Sequence, residues 1–372
     1  MSYPFDSIWI NQREVSIHEL LLGHVSAQSK YEASTLDFIS AWLTGQETFI
    51  LQTSGSTGPP KSVTFTRMQL HASAARTVRA LGLEKGITAL VCLNTKYVAG
   101  KMMLVRALEH GMKILVVDPG SNPFQQVSSG TNLDFMAVAP LQLQTLLDNL
   151  MNNNRLNLMK AILVGGAPVS LKLKNSIKTL TCPVYETYGM TETISNVAFK
   201  LLNTSKASNY FIPLPGVNVE VDDRGCLIIH DAIQPDPIIT NDAVEITKNG
   251  FRWLGRADHV INSGGVKIHP EKVESDLEMV FKTLETSYNY FIGSLPDDLL
   301  GETVTLFIEG EHIHPDDVVK LREAFNQFPE RLHKPRKAVL IPEFQYTQTG
   351  KINRKMAQEG SFKLIPELVT HP

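Results

Sequence analysis

Short apolar runs that alternate with helical patterns constrain this chain more than anything else in it. Phe49 to Gln52, Ala89 to Leu93, Lys113 to Asp118, Phe135 to Ala139 and Ala161 to Val164 are each four to six residues long. They are too short for helices and largely apolar, as strands buried on both faces are. Between them lie helical patterns. One starts at Thr66, where Gln69 three residues on completes a capping box; a second runs from Ala99 to His110 and is ended by Gly111; a third runs from Leu141 to Met151 and is ended by Asn152-Asn153-Asn154. This alternation predicts an α/β region built on a largely parallel sheet.

The texture then changes twice. From about Val197 to Leu254, strand candidates such as Asn218 to Val221 and Cys226 to Ile229 are separated by turns like Asp223-Arg224-Gly225 and Lys248-Asn249-Gly250. That is the pattern of antiparallel β structure closing the first unit. From Asp258 on, helices at Pro270 to Leu284 and Pro315 to Phe328, with strands at Tyr288 to Gly293, Thr303 to Glu309 and Lys337 to Pro342, predict a compact α+β unit. The expected fold is therefore α/β, with a large N-terminal domain over residues 1–255 and a small C-terminal α+β domain over residues 256–372.

Composition narrows the function classes. Hydrophobic residues at 43% and charged residues at 20% exclude global disorder, and 372 residues allow more than one core. The net charge of −3 offers no bulk attraction to nucleic acid or an anionic membrane. Cys92, Cys182 and Cys226 lie far apart, so neither a disulfide framework nor a structural zinc site is expected. Met1 to Gly23 carries Asp6, Arg13, Glu14 and Glu19 rather than a signal-peptide pattern, and no run approaches the roughly 18 apolar residues that span a bilayer. A cytoplasmic protein without membrane insertion is expected, with homodimerisation left open.

The most specific segment is Thr53-Ser54-Gly55-Ser56-Thr57-Gly58-Pro59-Pro60-Lys61, directly behind the Phe49 to Gln52 run. Small residues let backbone N–H groups curl around phosphate oxygens, and Lys61 adds a point charge. Gly55 to Ser62 misses the Walker A pattern at one position, Pro60, where a second glycine is required. Proline has no N–H to donate and a fixed φ, so a Walker A loop is rejected.

The same nine residues resemble the phosphate loop of the adenylate-forming superfamily: acyl- and aryl-CoA ligases, luciferases and peptide-synthetase adenylation domains. Further motifs of that superfamily follow in order. Tyr188-Gly189-Met190-Thr191-Glu192-Thr193 resembles its Tyr-Gly-x-Thr-Glu segment. The resemblance puts Tyr188 on the adenine, Thr191 on the α-phosphate and Glu192 on Mg²⁺, a hard cation suited to a carboxylate. Thr240-Asn241-Asp242 stands for the usual Thr-Gly-Asp, whose aspartate holds the ribose; asparagine tolerates a left-handed backbone, which lets Asp242 keep that place. Gly255-Arg256-Ala257-Asp258 would supply Arg256 to ribose or phosphate and make Asp258 the interdomain hinge. Ser263-Gly264-Gly265 and Lys267 would face the CoA arm, and Thr349-Gly350-Lys351-Ile352 resembles the motif of the catalytic lysine, Lys351.

The resemblance implies ATP, Mg²⁺ and CoA as partners of a carboxylic acid substrate. It covers the chain from residue 49 onward, and only 52 residues precede the loop, so the fold expected is an N-terminally shortened one. On the acyl side, Asn94-Thr95-Lys96-Tyr97-Val98-Ala99-Gly100-Lys101-Met102, then Arg106, and Leu163-Val164-Gly165-Gly166-Ala167-Pro168 match the pocket region. Tyr97, Gly100, Lys101 and Arg106 become substrate candidates, and Gly165, Gly166 and Ala167 lie between acyl group and adenine. Lys101 and Arg106 are expected near one helix face, though not stacked. Basic side chains are costly beside a fatty chain but useful to a second carboxylate. These features resemble the short o-succinylbenzoate–CoA ligases of menaquinone synthesis. A CoA ligase for another aryl or acyl acid, an adenylation domain loading a carrier protein, and a non-catalytic nucleotide-binding protein of the same fold remain the alternatives.

Overall fold

A computed structural model describes residues 5–52, 62–346 and 352–369. Its main sheet has nine strands, in the order Ile212–Pro213, Ser195–Leu201, Val184–Met190, Ala161–Val164, Phe135–Val138, Thr88–Val91, Lys113–Val116, Ser7–Ile10 and Arg13–Ser16. The six strands from Val184–Met190 to Ser7–Ile10 pair in parallel, and antiparallel strands close both edges.

Because successive strand side chains point to opposite faces, each central strand feeds two cores. Ala89, Ile114, Phe135, Ala137 and Leu163 pack on one side with the helices Lys30–Leu43, Arg67–Leu81 and Val98–Glu109. Leu90, Leu115, Met136, Val138 and Ile162 pack on the other with Pro140–Leu147 and Leu171–Ile177. Burial of both faces explains four of the five apolar runs; the fifth, Phe49 to Gln52, lies outside the main sheet in an antiparallel pair of Thr48–Gln52 with Ser62–Thr66, where burial alternates and Ile50 is exposed.

A four-stranded antiparallel sheet follows: Val217–Val221, Cys226–Asp231, Ile238–Thr247 and Gly250–Arg256. After a short 3₁₀ turn at Ala257–His259 comes a six-stranded sheet of Ile261–Ser263, Val266–Ile268, Tyr290–Asp297, Gly301–Glu309, Lys337–Ile341 and Lys363–Leu364. It also feeds two cores. Ile292, Leu306 and Ala338 face the helices Pro270–Phe281 and Pro315–Asn326, while Phe291, Phe307 and Val339 pack with Ala357 of the Arg354–Glu359 helix. The architecture is the expected mixed α/β class with several sheets.

Local chemistry agrees with most boundaries. The Arg67–Leu81 helix is capped by Thr66 with Gln69 completing the capping box, and Gly82 ends it at φ 63°. Gly111 follows the Val98–Glu109 helix at φ 62°. Two further readings need correction, and two elements were not anticipated. The helix expected over 141–151 ends at Leu147, and the asparagine run continues as a 3₁₀ turn at Leu150–Asn152 and a short helix at Asn153–Asn157. Asn241 sits inside the Ile238–Thr247 strand without a left-handed φ, so its tolerance for that region is not used. The Ser7–Ser16 hairpin and the Lys30–Leu43 helix carried no expectation at all. No helix among the described residues is long and apolar enough to cross a membrane, and the three cysteines are free and buried.

Candidate active site

In open α/β sheets ligands gather beyond the carboxyl ends of parallel strands. Two motifs emerge there on adjacent strands. Gly165-Gly166-Ala167 leaves the end of Ala161–Val164, and Tyr188-Gly189 lies in the neighbouring Val184–Met190. The glycines are sterically required. A Cβ on Gly165 would stand 2.2 Å from the Thr187 hydroxyl, one on Gly189 would stand 2.0 Å from the Ser195 carbonyl oxygen, and Gly166 adopts φ 84°. Gly166 and Ala167 are exposed.

Tyr188 is 9% exposed and packs edge-on against Phe251 at 5.1 Å. Its hydroxyl donates to Asp242 Oδ2 at 2.6 Å. Burial, reinforced by the Asp242 charge, pushes the phenol far above its ordinary value, so it stays a donor at any working pH. Asp242 pairs in register with Arg256 across the antiparallel sheet, and Arg256 Nη1 comes to 3.9 Å of Asp242 Oδ1. Arg256 binds Asp258 through two hydrogen bonds of 2.8 and 2.6 Å. Burial opposes charge on Asp258, but these bonds outweigh it and hold its carboxyl below the usual range. The structure thus links Tyr188, Asp242, Arg256 and Asp258 in one chain. A carboxylate has about four acceptor directions, so Asp242 can hold Tyr188 and still accept from a diol.

Thr191 and Glu192 occupy the turn between Val184–Met190 and Ser195–Leu201. Thr191 is 7% exposed, whereas Glu192 is exposed and its carboxylate takes no partner among the described residues. The Thr193 hydroxyl closes the turn, accepting from Met190 N at 2.8 Å and facing the carbonyls of Met190 and Ser195. Beyond it, Ile194 and Ser195 have φ of 53° and 80°. No cluster of three or more His, Cys, Asp or Glu side chains that could hold a metal exists among the described residues. A single free carboxylate suits Mg²⁺, which uses one or two carboxylates with phosphate oxygens and water.

Tyr97 precedes the Val98–Glu109 helix and bridges to Gln52, just before the Thr53 to Lys61 segment. A Cβ on Gly100 would meet the Asn94 carbonyl at 2.5 Å, so only glycine allows the loop to fold onto the helix. Lys101 and Arg106 do not share an environment. Lys101 is half-buried, with Nζ 3.4 Å from the Ile50 carbonyl and 5.6 Å from the Phe38 ring centre, and burial lowers its pKa. Arg106 is 1% exposed on the opposite side of the helix, where Nη2 donates to Asn196 Oδ1 at 2.7 Å and Ser195 Oγ at 3.0 Å. Its Nε has no partner among the described residues, and burial alone pushes its pKa down to about 9, still charged at neutral pH.

Gly264 and Gly265, at φ 58° and 81°, form the tight turn between Ile261–Ser263 and Val266–Ile268; Ser263 ends the first strand, and Lys267, exposed, lies in the second. Thr53, Ser54, Gly55, Ser56, Thr57, Gly58 and Lys61, and likewise Lys351, lie outside the described residues. Ser73 and Gln234, which bond to the Glu192 turn, were not singled out from sequence, and Gln69, which bonds to the loop beside it, was singled out only for its capping box. The available signal was polar residues at i and i+4 on a helix otherwise patterned for a core.

A family model described as "AMP-binding enzyme" matches residues 22–230. A 2-succinylbenzoate–CoA ligase of Lactococcus lactis is 26% identical over 325 residues, covering 82% of this chain and 69% of the relative. The crystal structure of an acyl-CoA synthetase (AMP-forming)/AMP-acid ligase II-like protein from Dyadobacter fermentans is 40% identical, with a TM-score of 0.61, covering 91% of this chain and 97% of that one. An o-succinylbenzoate coenzyme A synthetase from Bacillus subtilis, solved with ATP and magnesium ion, shares the fold at a TM-score of 0.71 and 20% identity, covering 83% of this chain and 69% of that one. The family match spans more than half of the chain, and the chain therefore belongs to the AMP-binding enzyme family as an AMP-forming ligase of the adenylate-forming superfamily.

Proposed function

We propose that this AMP-forming ligase is an o-succinylbenzoate–CoA ligase. The observation that carries the choice of acid is Arg106, a buried guanidinium whose bonded partners among the described residues are one amide and one hydroxyl. Neutral acceptors solvate a cation without neutralising it, and buried charges are normally paired. A substrate with a second carboxylate supplies the missing anion; a fatty acid does not. Relatives named as 2-succinylbenzoate–CoA ligases support the same acid.

In the first half-reaction the substrate carboxylate attacks the α-phosphorus of ATP, and pyrophosphate leaves. In the second the CoA thiol attacks the acyl carbon, and AMP leaves. Asp242 and Arg256 hold the ribose, the ring of Tyr188 lies against the adenine, and Thr191 donates to the α-phosphate. Glu192 would hold Mg²⁺, which when bound would offset charge on the phosphates. Lys351, with Thr53 to Lys61, meets the charge that gathers during adenylation. Residues 1–255 then form the ATP- and acyl-binding body and 256–372 a lid. Rotation about Asp258, which costs the Arg256–Asp258 bonds, withdraws Lys351 and brings the Ser263 to Lys267 turn to the thiol path.

Pyrophosphate release over a panel of acids tests this directly. Fastest turnover is expected with o-succinylbenzoate; faster turnover of another acid would replace the substrate, and none with any acid would leave a nucleotide-binding protein. Lys351→Ala is expected to slow adenylation by roughly 10²–10³-fold or more. It should spare thioester formation from supplied acyl-adenylate. Equal loss in both steps overturns the role of Lys351.

A further inference from the structure

The turn that carries Glu192 is strained. Ile194 is β-branched, 1% exposed, and sits at φ 53°, with Ser195 following at φ 80°. A left-handed conformation costs such a residue about 1–2 kcal/mol and persists only where surrounding groups over-determine it.

Those groups come from one face of the Arg67–Leu81 helix. Ser73, fully buried, donates to the Ile194 carbonyl oxygen at 2.7 Å. Thr77, one turn on and also fully buried, accepts from Asn196 Nδ2 at 3.0 Å. Gln69, one turn back, uses both ends of its amide. Its Oε1 accepts from Thr66 N at 2.9 Å in the capping box, which points Nε2 away from the helix, to the Ile233 carbonyl at 3.3 Å and Gln234 Oε1 at 3.5 Å. Gln234 in turn donates to the Glu192 carbonyl oxygen at 2.9 Å. Spacing of i, i+4 and i+8 places all three side chains on one stripe. Packing alone would favour apolar residues there. Thr66 also ends the Ser62–Thr66 strand that leaves the phosphate loop, so the stripe joins that strand to the Glu192 turn.

We propose that the stripe of Gln69, Ser73 and Thr77, with Gln234, positions Glu192, fixing the left-handed turn so that its carboxylate is aimed at the metal of the bound nucleotide. These are positioning residues, and the inference rests on the assignment of Glu192 to Mg²⁺.

The test measures Mn²⁺ binding, by electron paramagnetic resonance, to the full chain saturated with a non-hydrolysable ATP analogue, alongside affinity for the same analogue without metal. Ser73→Ala is expected to weaken Mn²⁺ binding on the order of 10-fold, as loss of a group orienting a ligand commonly does. Metal-free analogue affinity should stay within about 2-fold. Ser73→Thr, which keeps the hydroxyl, should restore most of the loss, and hydrogen exchange at the amides of residues 191–196 should rise in Ser73→Ala alone. Gln234→Ala, a change on a partly exposed loop, gives a smaller weakening and serves if Ser73→Ala does not fold. Glu192→Gln separates the two assignments. If it loses Mn²⁺ while Ser73→Ala and Gln234→Ala bind like the wild type, the positioning role is overturned and Glu192 stands. If Glu192→Gln binds Mn²⁺ unchanged, the metal role of Glu192 falls and the positioning role with it. Parallel loss of metal and metal-free analogue affinity in Ser73→Ala would mark a general packing defect and also overturn the proposal.

Discussion

Two arginines are buried on neighbouring helices, and they differ in what answers their charge. Arg76 is 3% exposed and donates to the Asp231 carboxylate at 2.7 Å. Arg106 is as deeply buried and, among the described residues, bonds to Asn196 and Ser195. The first pair is complete as an ion pair within the chain; the second cation is half of one. Buried charge that the fold itself balances belongs to the architecture, whereas buried charge left unbalanced is where a ligand's opposite charge is best rewarded. The Arg76 pair should therefore fail on stability. Arg76→Met leaves Asp231 as an uncompensated buried carboxylate and is expected to cost about 3–5 kcal/mol. Among the described residues Arg76 Nε and Nη2 and Asp231 Oδ2 have no partners, so the pair also bears an unrepaid desolvation cost. The double variant Arg76→Met/Asp231→Leu should then be more stable than Arg76→Met alone in denaturant titration. A double variant that is less stable than both singles would show that the pair is worth more than its desolvation.

Arg106 should fail on substrate instead. Arg106→Ala is expected to raise KM for o-succinylbenzoate by roughly 10²-fold, the scale for truncating one partner of a buried charge pair. KM for benzoate-like monoacids should change far less, and an unchanged ratio would take Arg106 out of the pocket. Arg106→Met, which keeps most of the buried volume, should cost less stability than Arg76→Met, because only a neutral amide and a hydroxyl lose their donor, about 1–3 kcal/mol. If Arg106→Met unfolds the protein as readily as Arg76→Met does, the contrast between the two arginines disappears.

Neither arginine's role could be fixed from sequence. Arg76 and Arg106 stand in similar helical contexts, and what separates them is Asp231, 155 residues from Arg76, which topology alone brings close. Local signals fared better. The parallel strands were legible because two-sided burial leaves no alternation to misread, and the capping box at Thr66 and Gln69 was legible because it spans three residues. The motifs named the strand ends that meet at the site. Their bracing was hidden, since a Gln, a Ser and a Thr at helical spacing look like any solvated face until the Ile194 turn is seen on top of them. The N-terminal hairpin was missed for the opposite reason: Ser7–Ile10 and Arg13–Ser16 are too short and mixed in polarity to stand out. The break after Leu147 was obscured because three asparagines suit a helix end and a 3₁₀ turn equally.

Arg256 lies between the two extremes, and its partner gives the smallest expected effect. It is about a quarter exposed and holds Asp258, itself a third exposed, through two hydrogen bonds. Solvent screens such a pair, and its worth at neutral pH should fall within about 0–1 kcal/mol. The sign of its pH dependence is still defined. Asp258 is held below the ordinary carboxylate value in the folded chain, so the unfolded chain takes up the proton first. The stabilisation is complete above pH about 4 and is lost as pH falls through the lower folded value. Asp258→Asn should thus flatten the acid limb below pH about 4 in urea titrations and leave the neutral region almost unchanged. A variant that loses stability evenly from pH 7 to pH 3 would mean that Asp258 acts through packing, and Arg256 would then belong with Arg76 as a residue of the architecture.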